Sequence, residues 1–276
     1  MKFNVEEIYS KTESVSEAAQ RELREAVINI MENEVLHLGS GATAKVYYLD
    51  DNPDLCYKTI RTTEVLVRPD AVDSLPPKYR AIHEDKKEKG KRMLGVPDTD
   101  MPWHLSLEEE MRIQNEAAKL SGVKIPQGFG RINVDGVEDG DGYEIKDNLS
   151  CLLMERIKGV SITELIGKGL LPPPGFNLDR FEKQITEFLE QMHAAGIYHR
   201  DLHDGNVMIE EETGDACIID FGRATITRFS EEDPYVDEVI DGEKMRFVND
   251  NLFLQKRVIG QLKEYLKYRG LDKSAN

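Results

Sequence analysis

The run His199-Arg200-Asp201-Leu202-His203-Asp204-Gly205-Asn206, followed fourteen residues after Asn206 by Asp220-Phe221-Gly222, decides how the rest of the chain reads. Between the two motifs lie Val207–Ile209 and Cys217–Ile219, apolar runs on either side of Thr213-Gly214, the pattern of a short hairpin. Upstream, Phe181, Ile185, Phe188, Leu189 and Met192 recur at helical spacing, which predicts a helix over Leu178–Ala195 stopped by Gly196. Alone, Asp201 reads as a loop acid capping a turn. With its neighbours and the second motif following in this order, that reading loses its hold.

Working outward, Ser161 and Glu164 cap a short helix that stops before Pro172-Pro173-Pro174. Phe129–Val134 and Leu149–Met154 read as strands, joined by an Asp-Gly-rich turn. The spacing of Asp135, Asp139 and Asp141 hints at a calcium loop, but Lys146 at the twelfth position is no ligand, so a solvated hairpin is expected. Ser106 with Glu109 forms a capping box opening a helix that ends near Gly122. Residues 62–105 hold five prolines and a charged stretch, His83–Arg92, and read as an exposed insertion. Lys45–Leu49 and Leu55–Ile60 are strand-like and follow a glycine turn at Gly39–Gly41. Ser14 and Glu17 open an amphipathic helix with Val15, Ala18, Ala19, Leu23, Ala26, Val27, Ile30 and Met31 on its apolar positions. A last helix is expected over Leu252–Tyr268. The order is strand-rich first and helix-rich second.

Composition narrows the class. The 276 residues are 39% hydrophobic and 32% charged, which suits a globular chain with a substantial core. The formal charge of −16 argues against nucleic acid or an anionic membrane surface as a main partner. No apolar run reaches the length needed to span a bilayer, and the N-terminal MKFNVEEIYSKTE has no signal-type apolar stretch. Cys56, Cys151 and Cys217 each sit in an apolar, strand-like segment and read as reduced core residues of a cytoplasmic protein.

The two motifs together resemble the catalytic loop and metal-binding triplet of protein kinases. Phosphoryl transfer calls for a carboxylate to align the hydroxyl and take its proton, and for oxygen ligands that hold a divalent ion against the phosphates. The resemblance implies Asp201 as base and Asn206 and Asp220 as ligands of Mg²⁺, with Mn²⁺ as a substitute. It also implies a phosphate-covering loop at Gly39-Ser40-Gly41-Ala42-Thr43-Ala44-Lys45-Val46, in which Ala44 replaces a third glycine. Lys58 matches the strand lysine on the ATP phosphates, and Glu116 its helix partner, ahead of Glu108, Glu109 and Glu110 on the same helix. Met154, Glu155 and Ile157 resemble the gatekeeper and the adenine-binding hinge.

The implied fold is α+β and bilobal. Residues 1–34 would form a helical extension, 35–154 a strand-rich N-lobe with the 62–105 insertion, and 155–276 a reduced helical C-lobe. Three features depart from the commonest pattern. His203 stands where most protein kinases of the eukaryotic type have lysine, as in aminoglycoside and choline kinases. Arg200 is the protein-kinase form. Only 54 residues follow Gly222, with no Ala-Pro-Glu motif, which resembles compact kinases that some bacteria deliver into host cells. The implied activity is ATP-dependent phosphorylation of a protein, on Ser or Thr rather than Tyr. A small-molecule kinase, a partner-binding pseudokinase and a nucleotidyl transferase with the ATP reversed are the alternatives. The insertion would serve as a docking surface or a brace. His199 is expected to pack and hydrogen-bond beneath the loop rather than transfer protons.

Overall fold

The computed structural model describes residues 2–9, 15–33, 44–77, 80, 84, 105–226, 235–240 and 243–271. They divide into two compact units, one comprising residues 1–101 and 129–155, the other 102–128 and 156–276.

The first unit is built on a five-stranded sheet of order β1-β4-β5-β3-β2. Its strands are β1 (Lys2–Tyr9), β2 (Lys45–Tyr48), β3 (Leu55–Val67), β4 (Gly128–Gly140) and β5 (Tyr143–Glu155). β3 and β5 run antiparallel over thirteen residues each, in a register that sets Leu55 opposite Glu155 and Val67 opposite Tyr143. β4 alternates buried and half-exposed residues along its first half, as a strand with one face on a core requires. That face carries Ile132 and Val134, which pack with Leu149, Cys151 and Leu153 of β5 and Tyr57 of β3. Helix α1 (Glu17–Asn33) lays Leu23, Val27 and Ile30 on the same cluster. Burying each such side chain is worth about 1.5–3 kcal/mol, which fixes the helix to the sheet more firmly than its own propensity would.

Two sequence expectations change here. The N-terminal segment is not purely helical, since β1 forms the sheet edge, antiparallel to β4, with Val5 opposite Val134. The strand read as ending at Ile60 continues to Val67, so the insertion begins after it. Both strands are specified by partners distant in the chain, which local periodicity does not display. Beyond Val67, Ala71 and Leu75 are buried, Leu75 with Ile145 in a small separate cluster. The charged stretch 83–92 lies outside the described residues, apart from a helical position at Glu84.

The helix starts follow their caps. Ser16 Oγ accepts the Ala19 N–H, two residues past the expected Ser14, which lies outside the described residues. Ser106 Oγ accepts the Glu109 N–H at the head of α2 (Leu107–Ala117). Ser161 Oγ accepts the Glu164 N–H at the head of α3 (Ile162–Gly167).

In the second unit, α4 (Leu178–Ala194) turns Phe181, Ile185, Phe188, Leu189 and Met192 into the main core. A three-stranded sheet of order β6-β8-β9 joins Gly159–Ser161, Val207–Glu210 and Ala216–Ile218. A two-stranded sheet pairs β7 (Ile197–Tyr198) with β10 (Thr225–Ile226). The hairpin β11 (Tyr235–Ile240) and β12 (Glu243–Val248) has no counterpart in the sequence reading. The last helical stretch begins at Asp250, with α5 (Asp250–Phe253), a π-helical turn (Leu254–Ile259) and α6 (Gly260–Tyr268). Its buried side chains, Leu254, Val258, Ile259, Leu262 and Leu266, complete the core.

Candidate active site

The β7–β8 connection carries His199 to Asn206, and several bonds hold it rigidly. Asp250 is buried at the start of α5 and accepts three hydrogen bonds. His199 N–H donates to its Oδ2 at 2.8 Å, Arg200 N–H to its Oδ1 at 2.7 Å, and His193 Nε2 to its Oδ2 at 3.1 Å. This anchoring holds Arg200 at φ +66°, a left-handed conformation that an L side chain adopts only under constraint. His199 is fully buried beneath the loop, as expected. Its Nε2 faces the Ile219 carbonyl at 3.0 Å, so that nitrogen carries the proton, and its Nδ1 accepts the Asp201 N–H at 3.3 Å.

The hairpin β8–β9 folds the second motif back onto the first. Ile219 N–H donates to the Asn206 carbonyl at 3.0 Å, which sets Asn206 beside Asp220. Asn206 Nδ2 donates to the Asp201 carbonyl at 2.9 Å, leaving its Oδ1 as the atom for a cation. Asp220 is held at φ +63°, and its Oδ1 accepts the Gly222 N–H at 3.2 Å. Phe221 is buried against the His199 ring, with centroids 4.8 Å apart. Gly222 O accepts the Leu105 N–H at 2.8 Å, which ties the triplet to the segment leading into α2. Asn206 and Asp220 supply hard oxygen donors, the set that suits Mg²⁺ or Mn²⁺. The other end of the loop is tied to α3, where Thr163 Oγ1 donates to Asp204 Oδ2 at 2.7 Å.

The remaining expected residues lie as follows. Lys58 is buried on β3, opposite Val46 and Leu152. Val46 is exposed and Ala44 half-exposed, while Gly39, Ser40 and Gly41 lie outside the described residues. Met154 is buried opposite Cys56, and the Glu155 carbonyl accepts the Cys56 thiol at 3.5 Å. Glu155 and Ile157 flank the passage from the first unit to the second, and both are half-exposed.

Glu116, the expected helix partner of Lys58, is not buried. It lies on the exposed face of α2 and pairs with Lys119 at 2.6 Å. The glutamate that α2 buries is Glu110, at 1% exposure, on the face that carries Ile113, Gln114 and Ala117. Position 116 follows 110 by six residues, which turns it well away from that face. The apolar periodicity of Leu107, Ile113 and Ala117 places Glu110, and not Glu116, on the buried face of the helix.

Asp250 was absent from the sequence reading altogether. Its one local signal is the Asn249 cap, whose Oδ1 accepts the Asn251 N–H at 2.9 Å. An acid in the first turn of a helix usually faces water and the helix dipole. Nothing near it in sequence shows that it is buried under a loop fifty residues away.

Comparison with known proteins agrees with this geometry. The protein kinase domain family model matches residues 136–263, a span that includes both motifs and Asp250 but neither Lys58 nor the glycine turn. A 117-residue stretch is 37% identical to the serine/threonine-protein kinase pkn2 of Myxococcus xanthus, covering 42% of this chain and 13% of that protein. A 116-residue stretch is 30% identical to the probable serine/threonine-protein kinase YbdM of Bacillus subtilis, covering 42% of this chain and 41% of that protein. A shorter stretch of 43 residues is 46% identical to the serine/threonine-protein kinase pim-2 of Danio rerio, covering 16% of this chain and 14% of that protein. The matched region therefore spans less than half the length of each relative. The loop and the hairpin lie within the stretch that is similar to a protein kinase domain. Within that class, the relatives it resembles are serine/threonine kinases of bacteria and eukaryotes.

Proposed function

We propose that this chain is an ATP- and Mg²⁺-dependent protein kinase that phosphorylates Ser or Thr hydroxyls. The observation that carries this reading is the state of Asp201. Its loop is fixed from below by Asp250 and His199, and its own carbonyl orients Asn206 toward the position of Asp220. A fixed carboxylate beside two oxygen ligands is what phosphoryl transfer needs, because the protein's part in it is positioning and electrostatic stabilisation.

In this reading Asp201 accepts the proton of the attacking hydroxyl and aligns its oxygen. Asn206 and Asp220 hold Mg²⁺, with Mn²⁺ as a substitute, and the bound ion supplies positive charge against the phosphates. Lys58 would contact the α and β phosphates, with Glu116 as its expected helix partner and the buried Glu110 as the competitor on the same helix. The resemblance gives Gly39, Ser40, Gly41, Ala44 and Val46 the role of covering the nucleotide. Met154, Glu155 and Ile157 frame the adenine, with hinge backbone groups reading its edge. Names of the relatives support a protein acceptor, and their serine/threonine designation supports the hydroxyl type. The three buried, unbridged cysteines suit a reducing, cytoplasmic setting. Among the described residues, no helix is long and apolar enough to cross a membrane.

The test is incubation of the full chain with a protein extract and ATP labelled in either the γ or the α phosphate. Label from the γ position on Ser or Thr supports the proposal. Label from the α position identifies nucleotidyl transfer instead. ATP consumed only with an aminoglycoside or choline identifies a small-molecule kinase, and no turnover a pseudokinase.

A further inference from the structure

The Asp201 carboxylate has a partner that the motif reading did not assign. Arg223, directly after the Asp220-Phe221-Gly222 triplet, places Nη1 3.2 Å from Asp201 Oδ1. The contact uses one corner of the guanidinium. Arg223 Nε is buried and has no hydrogen-bond partner, although the side chain as a whole is 34% exposed. A guanidinium is a planar fork of five donors built to take two oxygens at once. The guanidinium that meets Asp201 therefore keeps donor capacity for a further oxygen.

Two comparisons within the molecule sharpen this. Arg61 and Asp147 show what a closed structural pair looks like here. Arg61 Nε and Nη2 meet Asp147 Oδ1 and Oδ2 at 2.9 and 2.6 Å, and Asp147 is fully buried. Arg223 makes no such two-point contact with Asp201. His203 is the second comparison, since it occupies the place where most eukaryotic-type protein kinases have lysine. Its Nδ1 accepts the Gly205 N–H at 2.9 Å, and its Nε2 stays 3.9 Å from Asp201 Oδ2. The ring lies so close to the backbone that a Cβ at Gly205 would come within 2.7 Å of its Cε1. His203 is thus committed to its own loop. Arg223 is the permanently charged group that the described residues set against Asp201.

We propose that Arg223 is a catalytic cation of the transfer, its fork bridging Asp201 and the phosphoryl group that leaves the nucleotide. The proposal rests on the kinase reading and deepens it. In the step itself, the acceptor hydroxyl oxygen forms a bond to the γ-phosphorus. The bond from that phosphorus to the β–γ bridging oxygen breaks, leaving that electron pair on ADP. The hydroxyl proton goes to Asp201. Arg223 donates hydrogen bonds throughout and loses no proton. A chain of net charge −16 has particular need of a local cation where three phosphoryl oxygens must be received. The guanidinium also keeps the base and the phosphorus at a fixed separation.

The experiment compares the full chain with Arg223→Gln and Arg223→Lys. Three quantities are read: the melting temperature, the equilibrium affinities for ATP and ADP in the presence of Mg²⁺, and the initial rate of phosphate transfer. Arg223→Gln is expected to melt with the parent, to lose the preference for ATP over ADP and to slow transfer by about tenfold or more. Arg223→Lys is expected to recover part of both, because it restores the charge without the fork. A faster Arg223→Gln enzyme would overturn the proposal, since the arginine would then be masking the base. Unchanged preference and rate would also overturn it, reducing the contact to a local ion pair. So would a drop in melting temperature that Arg223→Lys repairs with no change in the ATP preference. A parent chain that neither binds nucleotide nor transfers phosphate would instead refute the kinase reading, and this proposal with it.

Discussion

Asp250 Oδ1 accepts the backbone N–H of Arg200 at 2.7 Å across fifty residues of chain. The neighbouring His199 N–H and the His193 ring converge on the other oxygen of the same carboxylate. One buried acid at the start of the last helical stretch therefore holds the catalytic loop in its left-handed turn.

Replacing it should act on both stability and activity. Asp250→Ala would leave two backbone donors and a histidine N–H buried without acceptors, at about 1–3 kcal/mol for each group. We expect a loss of stability of at least about 3 kcal/mol by denaturant unfolding, with transfer activity abolished. Asp250→Asn keeps one acceptor and should fall between the two. An Asp250→Ala protein within about 1 kcal/mol of the parent would show that the loop is held by other contacts.

Much of the site was legible in sequence because its chemistry is local. Asp201, Asn206 and Asp220 sit in contiguous motifs, and the caps at Ser106 and Ser161 stand three residues from the N–H groups they accept. What was not legible depends on distant partners. β1 shows no clean alternation, with Val5 and Ile8 exposed, and its register comes entirely from β4. The last turns of β3 are specified by residues 143–148 of β5. Asp250 has its meaning only under a loop far away in sequence. Glu108, Glu109, Glu110 and Glu116 compete within one helix, and burial rather than spacing sets Glu110 apart.

The choice between Glu110 and Glu116 has a direct test. Glu110→Gln should reduce transfer by about tenfold or more if Glu110 supports the lysine site. Glu116→Gln should leave the rate unchanged, since an exposed pair three residues apart on a helix contributes only about 0.5 kcal/mol. Initial rates for the two variants at saturating ATP decide the matter. Loss at position 116 with none at 110 would assign the role to Glu116.

Glu210 links the site's hairpin to pH. Its hydrogen bond from Thr213, with help from Lys124 at 3.0 Å, holds its carboxyl below the ordinary value of 4.5 despite partial burial. A depressed folded-state value means stability that is present above about pH 4.5 and is lost as pH falls through the folded value. Thermal unfolding at about pH 6 and about pH 3.5 should therefore show a larger drop for the parent than for Glu210→Gln. Equal drops would show that this cluster adds nothing to acid sensitivity.

Regulation by phosphate on Thr225, Thr227 or Ser230, in the stretch after Gly222, is expected to be absent. Thr225 is paired in β10 opposite Tyr198, so its backbone is already ordered without a phosphate. Thr227, Ser230 and the acids Glu231, Glu232 and Asp233 lie outside the described residues. The chain with all three hydroxyl residues changed to alanine should keep its initial rate. A loss of about tenfold, reversed by phosphate at one of these positions in the parent, would establish ordinary activation-loop control.

The central claim is that Asp201 is the base of a phosphoryl transfer, and single-turnover kinetics of Asp201→Ala with γ-labelled ATP and a phosphorylated-protein readout tests it most directly. The account predicts that the variant binds ATP with Mg²⁺ as tightly as the parent and transfers phosphate about 10²–10⁴-fold more slowly. A variant that binds equally well and keeps more than half the parent's rate would contradict it.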